Sequence, residues 1–304
     1  MYTDKIEIVE VSPRDGLQNE PVILPASSKL ELIGKARAAG SRRIEVASFV
    51  NPKAVPQMAD AEEVCAGLPD RDDVTYIGLV MNARGAERAI ATGRIDQLGA
   101  VAVSTDRFAM ANQGQTSDGS VDASRAIIER AREAGLTGQA TIAASFGCPF
   151  EGEVSEDRVL AMAVAIAASG PVEIALADTI GVANPAHVAS LVEKVGKAIA
   201  PIPVRMHFHN TRGTGLANVW AAIGAGARVI DASIGGLGGC PFAPGAAGNI
   251  ATEDTTYMLE RAGISTGLDL EMLISTNRWL AGLMNKALPA MVGKAGGFPA
   301  PSTY

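Results

Sequence analysis

The chain is short of several residue types, and each shortage narrows what it can be. Three cysteines in 304 residues, Cys65, Cys148 and Cys240, are too few and too scattered for a disulfide framework. A reducing compartment, the cytoplasm, is therefore expected. Aromatic residues are only 4% of the total, while hydrophobic residues are 47%. The interior must then be built from Ala, Val, Ile and Leu, a balance that suits buried parallel strands covered by helices. No apolar run approaches the ~20 residues that a membrane helix needs. The opening MYTDKIEIVEV has no basic segment with an apolar stretch behind it, so no signal peptide is expected. Basic residues are in deficit too: 26 Lys and Arg against 33 Asp and Glu leave a formal charge of −7. That argues against nucleic acid as a partner, because neutralising phosphates needs a basic face. Histidine is as scarce as cysteine, with His187, His207 and His209.

A period runs through what is there. Short β-branched runs at 6–11, 43–47, 74–80, 97–103, 140–144, 172–177, 204–208 and 228–232 alternate with helical patterns. The helical patterns fall at 27–39, 55–68, 84–92, 120–134, 155–169, 185–199, 214–226 and 251–262. The repeat is about 30 residues, the size of one βα unit. Several helical stretches open on a start signal, as at Ser120, Ser155 and Asn184-Pro185, and several close on glycine, as at Gly40, Gly135, Gly170 and Gly263. Eight such units close naturally, and no G-x-G-x-x-G follows the first strand. An α/β (β/α)8 TIM barrel over residues 1–265 is expected in preference to an open doubly wound sheet. Residues 266–304 are expected to form a C-terminal helical extension of the same domain. Its Gly-, Pro- and Ala-rich end at 293–304 reads as a mobile tail.

A barrel of this kind gathers its chemistry at the carboxyl ends of the strands. The polar residues expected there are Arg14 and Asp15, Glu45 and Ser48, Asn82, Asp178, and His207 with His209. In an extended strand, positions i and i+2 share a face, so both imidazoles can reach one metal ion. With oxygen ligands completing the shell the ion is a hard divalent one, Mg2+ or Mn2+, and Asp15 is the first carboxylate candidate. An isolated Arg-Asp pair is usually a surface ion pair of little consequence. This one follows the first strand directly and precedes Gly16, where Arg14 suits an oxyanion that develops during reaction. The run GGLGGCPF at 235–242 has four glycines in five residues, a loop able to approach a ligand closely or to move as a lid. Cys240 at its tip is a candidate acid or nucleophile. Cys65 and Cys148 read as structural, and His187 as a surface or packing residue.

The strings VSPRDGLQNE (11–20), IEVASFVNPKAVPQMAD (44–60), ADTIGVANP (177–185), HFHNTRGTGLAN (207–218) and GGLGGCPFAPGAAGNIATED (235–254) resemble the 3-hydroxy-3-methylglutaryl-CoA lyase family. That family belongs to the metal-dependent lyase and synthase TIM barrels, and the likeness spans residues 5 to 290. The related condensing synthases usually continue RDG with Glu-Gln, so Leu17-Gln18 sides with the lyases. The resemblance implies that Asp15, His207, His209 and Asn249 bind the metal. It makes Arg14 the residue that polarises the thioester carbonyl and stabilises the enolate, and Cys240 the acid that protonates it. It makes Glu45 an acid that orients Arg14, and Gln18, Ser48 and Asp178 neighbouring active-site residues, with Glu253 close to the glycine-rich loop. The implied substrate is an acyl-CoA, the implied assembly a homodimer. The implied reaction is retro-Claisen cleavage of 3-hydroxy-3-methylglutaryl-CoA to acetyl-CoA and acetoacetate. Asp15, His207 or Asp178 would take the proton of the C3 hydroxyl.

Three departures bear on the acyl group. The familiar lyases usually carry Asp-Thr-Tyr-Gly-Gln after the second histidine, where this chain has Asn210-Thr211-Arg212-Gly213-Thr214. Arg212 is a candidate contact for a substrate carboxylate. A frequent lysine is Pro21 here, and a serine ahead of Asp178 is Ala175. These differences keep a lyase for another branched 3-hydroxyacyl-CoA in view, such as citramalyl-CoA cleaved to acetyl-CoA and pyruvate. A synthase condensing acetyl-CoA with a 2-keto acid is a more distant alternative.

Overall fold

Successive side chains of a strand point to opposite faces, and in the computed structural model the two faces of each strand meet different surroundings. The structure describes residues 5–70, 73–239 and 248–299. Strands β1 (Glu7–Glu10), β2 (Arg43–Ser48), β3 (Thr75–Leu79), β4 (Gln97–Val103), β5 (Thr137–Ala143), β6 (Ile174–Asp178), β7 (Val204–Phe208) and β8 (Val229–Ala232) close into a barrel in chain order. All their pairings are parallel. Helices α1 (Ala26–Ala38), α2 (Ala61–Gly67), α3 (Ala83–Ala91), α4 (Asp106–Gln113), α5 (Ser117–Glu133), α6 (Glu156–Ala167), α7 (Pro185–Ile199), α8 (Gly215–Gly224) and α9 (Thr252–Arg261) follow the strands, and α10 (Leu270–Met284) and α11 (Met291–Ala295) extend the chain. The expected barrel is the observed one.

Outward residues of the strands, among them Ile8, Ile44, Leu98, Ile142, Leu176, Met206 and Ile230, join helix residues such as Leu32, Ile33, Val188 and Leu191 in one apolar layer. Each such side chain fully buried contributes roughly 1.5–3 kcal/mol. The inner face is different. Val9, Val11, Ile77 and Val229 form a small separate cluster. Where such barrels usually stack branched apolar side chains, this one also holds Arg43, Glu173 and Arg205 in ionic contact. The β2 register slips by one residue against β3 between Glu45 and Ala47, a bulge next to Glu45 of the kind that re-aims side chains near sites.

Two expectations need correction. One helix was expected after β4, and there are two: α4 ends in a left-handed Gly114 (φ 68°), and Thr116 caps α5 by accepting from the Gly119 N–H. The sequence of α4, DRFAMANQ, is short and largely polar, so its period is weak. The segment from residue 293 was read as tail, but α11 takes in its first residues, 293–295, and a Cβ on Gly293 would lie 2.6 Å from the Asn277 amide nitrogen. Only glycine allows α11 to seat so closely on α10. Residues 300–304 lie outside the described part. The extension is fastened to the barrel: the Asp269 N–H donates to Ala39 O at 2.8 Å, and the Ala290 N–H donates to Gly235 O at 3.1 Å.

Candidate active site

The chain leaves β1 through a tight turn, Ser12–Gly16, with Pro13 at its start and the Gly16 N–H bonded to Val11 O. A Cβ at position 16 would meet Ser233 Oγ at 2.8 Å, so glycine lets this turn lie against the β8 exit without displacing that side chain. The turn aims Arg14 and Asp15 over the barrel mouth. Arg14 pairs through Nε with Glu45 Oε1 and through Nη1 with Asp15 Oδ1, the latter at 2.6 Å. Its Nη2 makes no protein hydrogen bond among the described residues. Burial works against the guanidinium charge, but Glu45 and Asp15 outweigh it and raise the pKa further. Arg14 is a permanent cation held by two anions with one nitrogen to spare.

His207 and His209 stand at the end of β7 with ring centroids 5.2 Å apart, as their i, i+2 spacing requires. Donor atoms of Asp15, His207 and His209 all lie within 4.8 Å of one another. Burial opposes the Asp15 charge, yet Arg14, the two histidines and the Asn249 amide together hold its pKa at about 2. His209 is pushed down to about 4, by burial first and then by His207, and so presents a neutral imidazole at pH 7. Burial also disfavours charge on His207, but a hydrogen bond to Asp231 and the charge of Asp15 raise its pKa. Asn249 bridges to His209 across a short antiparallel contact and donates to Asp15 Oδ2 at 2.6 Å. Gly238, at φ 109°, leaves room for that amide, since a Cβ there would lie 2.4 Å from Asn249 Nδ2.

These residues fit a divalent cation. Two buried polar atoms at the cluster, His209 Nδ1 and Asn249 Oδ1, have no hydrogen-bond partner among the described residues. A buried polar atom without a partner costs roughly 1–3 kcal/mol, and an oxygen and nitrogen donor set beside an ionised carboxylate is what Mg2+ or Mn2+ takes. The metal reading thus accounts for atoms that the protein alone leaves unpaired.

Arg14, Asp15, Gln18, Glu45, His207 and His209 all line one cavity of about 160 Å³ that opens at the barrel mouth. Leu79, Met81, Val101, Phe108 and Ala143 give its β3–β5 side an apolar wall. A second depression of about 260 Å³ lies beside Pro201–Val204 at the amino ends of the strands, away from this chemistry. Other expected residues sit apart from the cavity. Ser48 is fully buried with an unpartnered hydroxyl. Asp178, whose pKa burial raises, accepts from the Val182 and Ala183 N–H groups, and its neighbour Thr179 lines the cavity instead. Arg212 was expected to meet a substrate carboxylate. Its Nη1 donates to Ile180 O and Gly181 O at 2.9 Å each, strapping the loop after β6. Asn82 caps α3 through the Gly85 N–H. Glu253 reaches the Gly235 N–H at 3.0 Å, at the root of the glycine-rich loop. Cys240 lies outside the described residues. Its neighbour Gly239 lines the cavity and accepts from Asn19 Nδ2 at 2.8 Å.

Sequence reasoning placed Thr179 at the end of β6 but missed Asp231, Thr141, Phe108 and Asn112 at the cavity. Asp231 had a signal: it is a lone acid inside the apolar run Val229–Ala232, in register with His207 and 3.1 Å from its Nδ1. Phe108 and Asn112 ride on α4, the helix that was not expected.

A family profile described as HMGL-like matches residues 5–280. The chain belongs to the HMGL-like family. This HMGL-like chain is 43% identical to the (R)-citramalyl-CoA lyase of Chloroflexus aurantiacus, over 96% of this chain and 95% of that one. It is 40% identical to a hydroxymethylglutaryl-CoA lyase of Bacillus subtilis, over 95% and 96%. Among solved structures, an HMG-CoA lyase from Acinetobacter baumannii in complex with coenzyme A and 3-methylmalate superposes with a TM-score of 0.94 at 42% identity, covering 99% of this chain and 98% of that one.

Proposed function

We propose that this protein is a divalent-metal-dependent carbon–carbon lyase that cleaves 3-hydroxy-3-methylglutaryl-CoA to acetyl-CoA and acetoacetate. The observation that carries the reading is the placing of Arg14, whose Nη2 has no hydrogen-bond partner among the described residues, beside the Asp15, His207 and His209 cluster in a single cavity. Asp15, His207, His209 and Asn249 would hold Mg2+ or Mn2+. The cation would supply Lewis acidity and an anchor for substrate oxygens. The C3 hydroxyl proton passes to a base, and Asp15 and His207 are the candidates that face the cavity. The C3–O electrons close to a ketone while the C2–C3 pair moves to the thioester, leaving an enolate oxygen. Arg14, oriented by Glu45, donates to that oxygen. Cys240 returns a proton to C2, giving acetyl-CoA. Gln18 lines the same cavity, its Oε1 without a hydrogen-bond partner among the described residues. It is proposed as a substrate contact.

The 43% identity to a citramalyl-CoA lyase favours a second substrate for the same chemistry. A coupled assay of acetyl-CoA release with Mg2+ on both thioesters decides. Fast, EDTA-sensitive cleavage of 3-hydroxy-3-methylglutaryl-CoA supports the first reading, preference for citramalyl-CoA the second, and silence on both rejects lyase activity. The same family likeness supports a cytoplasmic homodimer, tested by light scattering on the purified enzyme. No helix among the described residues is long and apolar enough to cross a membrane.

A further inference from the structure

The lumen of the barrel holds a buried ionic chain that the lyase chemistry does not use. It begins at the lower end, where Arg43 donates through Nη1 to Glu7 Oε2 at 3.1 Å and to Glu173 Oε2 at 3.0 Å. Glu173 Oε1 lies 3.1 Å from Arg205 Nη1. Arg205 Nε faces Asp231 Oδ1 at 3.4 Å as an ion pair without a hydrogen bond, and Asp231 Oδ2 is hydrogen-bonded to His207 Nδ1 at 3.1 Å. Arg205 and His207 are i, i+2 on β7 and share its inner face. Asp231 is in register with His207 on the neighbouring strand, so its two oxygens divide between the metal-site ring above and the guanidinium below.

Space for this arrangement comes from a small residue. Register pairs Arg205 with Ala175 on β6 and Ala175 with Thr141 on β5. The methyl of Ala175 leaves a gap across which Arg205 Nη2 donates to Thr141 Oγ1 at 3.2 Å. Arg205 is thereby held from β5 as well as by Glu173 and Asp231, and only 1% of it is exposed. Net stability is a poor reason for such an arrangement, because replacing a buried ion pair by apolar side chains of similar size is often neutral or stabilising. Geometry is a better one. A carboxylate held only by its hydrogen bond to a histidine can swivel, whereas a guanidinium charge 3.4 Å from its other oxygen restrains it, and with it the tautomer and the plane of the histidine. Outer partners of this kind tune metal affinity as well as ligand orientation.

We propose that Arg205 is a positioning residue for the metal centre: its charge restrains Asp231, which holds the His207 ring so that Nε2 points at the site shared with Asp15. The inference rests on the proposed metal-binding role of Asp15, His207 and His209, and the test separates the two. Chelator-stripped full-length protein is titrated with Mn2+ by calorimetry, and the melting temperature of the stripped form is recorded alongside. Arg205→Met is expected to weaken Mn2+ binding by about tenfold or more and to lower the melting temperature, because Glu173 and Asp231 lose a buried counter-ion. Glu173→Gln, on the side of Arg205 away from Asp231, is expected to change the melting temperature but keep Mn2+ affinity within about twofold. Should Arg205→Met fail to fold, Arg205→Lys keeps the buried charge but loses the fork that spans Asp231 and Thr141, and is expected to bind Mn2+ several-fold more weakly. Wild-type affinity in the Met variant, or in the Lys variant where Met does not fold, overturns the proposal. So does a loss of affinity in Glu173→Gln equal to that at Arg205, which would mark the whole chain as scaffold. Failure of the wild type itself to bind Mn2+ would instead strike down the metal reading on which the proposal stands.

Discussion

Glu253 sits at the root of the glycine-rich loop with no solvent exposure, and burial, with a smaller contribution from Glu10, lifts its pKa from 4.5 to about 8. A carboxyl whose pKa rises on folding binds its proton more tightly in the native state than in the unfolded one. Its contribution to stability is therefore complete below pH 4.5 and is lost as the pH climbs through about 8, after which it is flat. At about 1.4 kcal/mol per pH unit the whole loss comes to about 5 kcal/mol, of which about 3 is gone by pH 7. Glu253→Gln removes the titration and keeps an oxygen that can accept from the Gly235 N–H, the bond that anchors this loop. Urea unfolding of both proteins at pH 5, 6, 7 and 8, with chelator present so that the metal site titrates alike in each, isolates the effect. The variant is expected to match the wild type near pH 5 and to gain on it by about 1.4 kcal/mol per pH unit from there to about pH 8. Parallel stability curves, or a wild type that gains on the variant with rising pH, would show that Glu253 is charged in the folded protein and refute the reasoning.

Arg14→Gln is expected to lower kcat by about 10²–10³ while Mn2+ content stays full; a rate within tenfold of wild type removes Arg14 from enolate stabilisation. His207→Ala should lose Mn2+ affinity and activity together, checked by calorimetry and acetyl-CoA release on one preparation. Arg212→Gln is expected to cost about 1–2 kcal/mol of stability through the loop after β6, with kcat/KM changed by only a few-fold. A large rise in KM there would restore Arg212 as a substrate contact.

Period and spacing made much of this protein legible from its residues alone. Eight βα repeats announce a barrel because a parallel strand buried on both faces and a one-sided helix have no cheaper way to cover each other. His207 and His209 could be paired because i and i+2 must share a face wherever the strand lies. Arg14, Asp15 and Asn249 came from local strings, in which Gly16 and Gly238 permit contacts that a Cβ would crowd. Roles that depend on two distant strands were set only when the barrel closed. Closure fixes the stagger between β7 and β8, and the stagger alone puts Asp231 beside His207 with Arg205 one layer below. The same registers set Ala175 between Arg205 and Thr141, so what reads as a lost hydroxyl is the gap that a buried arginine crosses. Arg212 shows the complementary limit: its position on the rim follows from the sequence, but the two carbonyls that capture its guanidinium belong to a neighbouring loop, and only packing brings them within 2.9 Å.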